Sequence, residues 1–147
     1  MVDVEELKAK FLNHEFDTKP FKIDMNQVAA AARAAGETLP AFTDPADPDF
    51  QVMPAFLASF ASGRRLPIDF PSLGGISMDG GKAVSSHQPV RPDTELVGNT
   101  YLHDIYDKTG RSGQMVFIVA RTELHDTAGE HYATVDARQV IREMPDK

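Results

Sequence analysis

The chain has 147 residues, 22 acidic against 15 basic side chains, five histidines and no cysteine. That length suits one domain with an ordinary buried core. The lack of cysteine excludes disulfides, thiolate metal sites and a cysteine nucleophile, and the net charge of -7 argues against a nucleic-acid binder. The first ten residues lack the apolar run of a secretory signal, and no stretch approaches the roughly 20 apolar residues of a membrane helix. A soluble, cytoplasmic protein with no membrane partner is expected.

In chain order, Val4 to Phe11 reads as a short amphipathic helix with Val4, Leu7 and Phe11 on one side, within an N-terminal helical extension over residues 1–15. Phe21 and Ile23 alternate with charge like a short strand in the Phe16 to Asp24 segment. Asp24 is placed to cap an alanine-rich helix from Met25 to Ala35, which Gly36 closes. Prolines 40, 45 and 48 make Glu37 to Val52 mostly loop. Pro54 then suits the first turn of a helix over Met53 to Ser62, apolar nearly all round and therefore buried.

Leu66 to Gly81 reads as a long loop. Its glycines, Gly74-Gly75 and Gly80-Gly81, lack the lysine–serine or lysine–threonine end of a phosphate loop. Lys82 to Val90 alternates as a strand, and Arg91-Pro92-Asp93 is a turn. Thr94 to Tyr106 alternates too, with Leu96 and Leu102 on one face and Val97, Tyr101 and Ile105 on the other. Asp107 to Gly113 has the composition of a hairpin loop. Gln114 to Leu124 contains the apolar run Met115 to Ala120, which fits a central strand covered on both faces. A second hairpin loop over His125 to Glu130 leads to a strand over His131 to Arg142, with Ala133, Val135, Ala137 and Ile141 on one face. The fold class is α+β: a single hot dog domain over residues 1–147, its antiparallel sheet wrapped around a central apolar helix.

The run from Val28 to Pro45, the segment Val52-Met53-Pro54-Ala55-Phe56, the turn at His87 to Leu96 and the hairpin from Lys108 to Val119 together resemble the MaoC-like dehydratase and (R)-specific enoyl-CoA hydratase family. Coverage runs from about Phe16 to Ile141. The resemblance implies hydration of enoyl thioesters of coenzyme A or acyl carrier protein, with no cofactor. The family's signature is glycine–aspartate–x–asparagine–proline–x–histidine. Its aspartate and histidine activate the water that adds across the double bond, a task that needs both a base and an acid.

Laid on this chain the motif reads Gly36-Glu37-Thr38-Leu39-Pro40-Ala41-Phe42. Glycine and proline match, but Glu37 stands at the aspartate, Leu39 at the asparagine and Phe42 at the histidine. A phenyl ring transfers no proton, so no complete catalytic site is expected in this chain. The resemblance is closest to the catalytically empty N-terminal halves of double hot dog dehydratases and to the separate subunits that replace them.

The expected function is therefore a tunnel-shaping subunit of a heteromeric enoyl-CoA hydratase, its dyad supplied by a catalytic MaoC-like partner in a heterodimer or heterotetramer. Family settings for such splitting are steroid side-chain degradation and long-chain acyl elongation in lipid metabolism. Phe42, Phe50, Met53, Phe56 and Phe60 are candidates to line the acyl space, and Arg64, Arg65 and Lys82 to meet the phosphates of an acyl-CoA substrate. Two alternatives stand beside this reading. One is a self-sufficient hydratase or thioesterase homodimer using Glu37. The other is a non-enzymatic module that binds acyl thioesters as a scaffold.

The histidines show no ligand spacing, so no metal is expected. His14 and His125 are expected to be solvated, and His87, His103 and His131 to lie on strands. His87, beside a turn, is the one that suits a cleft.

Overall fold

The computed structural model describes residues 1–61 and 63–144. A helix α1 (Val4–Phe11) precedes strand β1 (Glu15–Phe21), helix α2 (Met25–Ala34), the single turn α3 (Pro40–Thr43) and a 3-10 helix (Pro54–Phe60). Four long strands follow: β2 (Ile76–Ser86), β3 (Leu96–Gly110), β4 (Gly113–Asp126) and β5 (His131–Arg142). They form one five-stranded sheet in the order β1-β3-β4-β5-β2, antiparallel throughout. The expected meander is β3-β4-β5. The first strand joins one edge and β2 crosses to the other, which among the described residues leaves β1 and β2 unpaired on their outer sides.

Local chemistry explains the helices. Asp24 accepts hydrogen bonds from the N–H groups of Asn26 and Gln27, both at 3.0 Å, satisfying donors that the first turn of α2 leaves free. Gly36 (φ 89°) ends that helix in the left-handed region, and the Glu37 N–H closes back on the Ala32 carbonyl at 3.0 Å. Asp3 caps α1 in the same way through the Glu6 N–H.

Helices α1 and α2 and the 3-10 helix pack on one face of the sheet, and α3 packs on α2. Val28 and Ala29 of α2, with Leu57 and Phe60 of the 3-10 helix, meet Leu96, Leu124, Ala133 and Val135 in one buried cluster. Val4, Leu7 and Phe11 of α1 meet Leu102, Ile105, Val116 and Ile118 in a second. The N-terminal helix thus closes one end of the core. Between the clusters the hydroxyls of Thr100 and Thr122 face each other at 2.8 Å, both buried. The opposite face of the sheet carries no helix among the described residues and is called the open face below.

Several expectations change. The central segment is a 3-10 helix rather than a fully buried α-helix: Leu57 and Phe60 are buried, Phe56 is half-buried, and Pro54, Ala55 and Ser59 are exposed. Proline and a weakly amphipathic run give only one side to the core. Ser62, the expected end of that helix, lies outside the described residues.

Strand β2 starts at Ile76, inside the segment expected to be loop, because backbone pairing with β5 from Ile76–Arg142 onward overrides the low strand propensity of the glycines. Gly80 and Gly81 make the register shift between Asp79 and Lys82, the place a strand tolerates glycine. Strand β2 ends at Ser86, short of the expected Val90, and His87 follows it.

The first hairpin is tighter than expected, since pairing continues to Gly110–Gly113 and leaves Arg111-Ser112 as the turn. His125 lies within β4, which runs on to Asp126, and is half-buried rather than solvated in a loop. A bulge between Leu102 and Asp104 moves Ile105 onto the same buried face as Leu102, against the strict alternation read from the sequence. The apolar run on β4 has helices on one side only.

Candidate functional site at the loop after helix α2

The segment matching the hydratase motif leaves α2 at Gly36 and is held in place along its length. Arg33 of α2 reaches across to the Thr43 carbonyl at 2.7 Å. Asp44 and Asp47 fold the chain through side-chain bonds to the N–H groups of Ala46 (2.9 Å) and Asp49 (2.8 Å), the usual use of aspartate in a turn. The Gln51 N–H bonds the Ala41 carbonyl at 2.8 Å, and the Val52 N–H bonds the Val90 carbonyl at 2.9 Å. Arg91 completes the tie: its guanidinium donates to the carbonyls of Asp49 at 2.8 Å and Phe50 at 3.3 Å. The sequence puts Arg91 in the Arg91-Pro92-Asp93 turn and gives it no further role, because its carbonyl partner Asp49 lies 42 residues away.

On this frame Glu37 is half-buried, and among the described residues its carboxylate takes no hydrogen bond. Phe42, in α3, is also half-buried. No imidazole takes its place at this loop. His131 bonds Glu123 at 2.6 Å, His87 packs on the His131 ring with centroids 4.5 Å apart, and His125 bonds Asn99. Asn99, Glu123 and Thr134 all belong to the open face, so the sheet stands between these three histidines and the α2 loop. His14 and His103 are exposed.

The five apolar candidates divide. Phe50 and Phe60 are core residues, 3% and 8% exposed, with Phe60 stacked on Phe21 at 4.6 Å. Phe56 stands edge-on to Phe60 at 5.8 Å and is half-buried, as are Met53 and Phe42. These three still present surface.

The three cationic candidates also divide. Arg65 and Lys82 line one cavity, with Asp79 beside them and Ile118, Ala120 and Ala137 as its apolar floor. Lys82 also donates to the Ala58 carbonyl at 3.3 Å, which ties β2 to the 3-10 helix. Arg64 is not among the lining residues; its backbone N–H bonds Asp17 at 2.9 Å. The cavity is about 10 Å³, room for one water molecule. A second cavity, between Val2, Leu73, Gln114 and Ile141, is about 90 Å³. Sites for drug-sized ligands run from about 300 Å³ upward, so neither of these two spaces takes a bulky acyl chain. Two larger, open clefts, about 390 Å³ beside α1 at Leu7, Phe11 and Leu73 and about 440 Å³ at Arg91, Thr94 and Tyr132, are lined by none of Phe42, Met53 and Phe56.

The most connected polar cluster lies elsewhere, on the open face. Tyr101 donates to Glu123 at 3.1 Å and Thr134 donates to it at 2.7 Å. Burial pushes the Glu123 pKa up, but bonds from Thr134, His131 and Tyr101 outweigh it and hold the carboxyl below its ordinary value. Burial and the neighbouring Glu123 charge push the Tyr101 phenol up. Arg121 and Asp136 form a bidentate pair at 2.7 and 2.9 Å next to them. No sequence signal marked this cluster, because its members sit on three different strands. Among the described residues no group of three or more His, Cys, Asp or Glu side chains is placed to hold a metal ion.

Comparison with known proteins bears on the family and the fold. A family model described as "FAS1-like, dehydratase domain region" matches residues 10–135. A UPF0336 protein of Streptomyces coelicolor is 28% identical over 137 residues, which cover 85% of this chain and 87% of that protein. A MaoC-like dehydratase from Phytophthora capsici superposes with a TM-score of 0.68 at 22% identity, over 95% of this chain and 50% of that one. This chain therefore spans half of the Phytophthora protein. The ChsH1-ChsH2 complex from Mycobacterium tuberculosis gives a TM-score of 0.67 at 13% identity, over 97% of this chain and 90% of the matched chain. Likeness at these identities is a likeness of fold, and the fold is that of the MaoC-like hot dog proteins.

Proposed function

Because the chain belongs to the FAS1-like dehydratase-region family, we propose that it is a non-catalytic subunit of a heteromeric enoyl-thioester hydratase. Its acid–base pair is supplied by a MaoC-like partner. The observation that carries this reading is Phe42 at the motif's histidine position, with His87, His125 and His131 held on the far side of the sheet. Addition of water across the double bond needs one group to take a proton and another to give one. Glu37 supplies at most one of them.

The role left to this chain is steric. A hot dog pair encloses its substrate between two subunits. Phe42, Met53 and Phe56, the half-buried members of the apolar set, are the side chains we assign to the wall of an acyl space completed by the partner. Arg65 and Lys82, brought to one mouth above an apolar floor, suit the phosphates of coenzyme A. The ChsH1-ChsH2 assembly supports a heteromeric arrangement, and β2 offers it an unpaired edge of 11 residues. A bulky 2-enoyl-CoA, such as a steroid side-chain or long-chain acyl thioester, is the proposed substrate, and the cytoplasm the proposed location.

The test is hydration of a bulky enoyl-CoA by the purified chain alone and then with a MaoC-like protein encoded beside it. Turnover only in the mixture, unchanged by Glu37→Ala, is expected. Turnover by the chain alone, abolished by Glu37→Ala, overturns the proposal in favour of a self-sufficient enzyme.

A further inference from the structure

The open face of the sheet has two unlike ends. Near the β4–β5 hairpin it is polar, occupied by the Glu123 cluster. Near the β3–β4 turn it is apolar and cationic. The register places Tyr106, Phe117, Val140 and Met78 in one row across four strands. Lys108, Met115, Arg142 and Ile76 form the next. The rings of Tyr106 and Phe117 stack at 4.8 Å, and the Lys108 ammonium lies 5.6 Å from the Phe117 centroid. Met78 and Ile76 remain 39% and 48% exposed at the β2 edge. Exposed Arg138 flanks the band in the row of Val119, where Asp104 is the one carboxylate. Three cations against one carboxylate gather here in a chain of net charge -7.

We propose that this band is a docking surface for an acidic partner protein, one that sets apolar side chains on the Tyr106–Met78 row and carboxylates against Lys108, Arg138 and Arg142. Size and charge select this occupant. Strands lie about 4.8 Å apart and same-face rows about 7 Å apart, so the band covers on the order of a few hundred Å². A stable interface needs about 800 Å² from each side, and the band therefore fits a transient encounter. A second copy docked about a two-fold axis would set the same three cations against themselves. An acidic surface meets them with opposite charge and is steered to them. The proposal is independent of whether the chain is catalytic.

The experiment follows the methionine methyl NMR signals of the full chain as two synthetic helical peptides are added, one with leucine at i, i+3, i+4 and i+7 and glutamate elsewhere, the other with lysine in place of glutamate. Met78 and Met115 are the reporters. Shifts at those two methyls with the acidic peptide alone are expected. The affinity should fall by about tenfold or more in the Lys108→Glu/Arg138→Glu double variant and weaken with added salt. Met78→Gln, which leaves every charge in place and removes the apolar contact, should weaken it independently, with Met115 as the remaining reporter. Near-ultraviolet circular dichroism checks that each variant is folded. Equal response to the two peptides, shifts elsewhere on the molecule, or no binding overturns the proposal. So does concentration-dependent self-association that the double variant abolishes, which would assign the band to a second copy.

Discussion

Thr100 and Thr122 put two hydroxyls into an otherwise apolar interior, each satisfied by the other at 2.8 Å. A buried hydroxyl left without its partner carries its full desolvation penalty, whereas removing both can be nearly neutral. Thr122→Val is therefore expected to lower stability by about 1–3 kcal/mol. The Thr100→Val/Thr122→Val double variant should recover most of that loss, both read from urea unfolding midpoints. If the double variant falls further than the single, the pair contributes more than its own hydrogen bond. At this scale the sequence was informative where the chemistry is local: Asp24 as a cap and Gly36 as a helix end follow from neighbours within three residues. Arg91 and the Glu123 cluster were not legible, because each depends on partners that only the sheet brings together.

Strand β2 shows how an element can hide in its own sequence. Its first half, Ile76 to Gly81, carries two glycines and little alternation, yet β5 supplies its backbone partners. Just before it, Gly75 holds a φ of 75°, and a Cβ there would lie 2.2 Å from the Arg142 carbonyl oxygen. Gly75→Ala is expected to destabilise by about 1–3 kcal/mol through backbone strain and displacement of the β5 end. Differential thermal unfolding and amide exchange across β2 and β5 would show it; unchanged protection would contradict it.

Strands β3, β4 and β5 meet at the Glu123 carboxylate, whose pKa lies below the ordinary 4.5. A depressed carboxyl contributes stability above its unfolded pKa and loses it as pH falls through its folded value. Glu15, bonded by Thr18 and Asn99 and likewise lowered, acts in the same direction between β1 and β3. Stability should decline as pH drops below about 4.5, and Glu123→Gln should flatten that decline in unfolding curves collected from pH 7 downward.

For the whole molecule, the α+β class and the three-strand meander follow from the sequence because long strands with clean alternation, such as His131 to Arg142, declare themselves. The sheet order does not follow, since nothing local tells β1 and β2 which edge to take. The family relationship was visible in the order of short motifs, and the departure from the hydratase motif in three substitutions, Glu37, Leu39 and Phe42. What stayed out of reach is the division of the sheet into a covered and an open face, because the apolar run on β4 looks the same whether one side is covered or two.

The bulge at His103 bears on descent as well as on packing. It inserts one residue into β3 while leaving Leu102 and Ile105 both turned toward the core. Relatives differing by a single residue at this point can therefore keep the same interior, and an alignment forced through it without a gap would misassign every facing beyond.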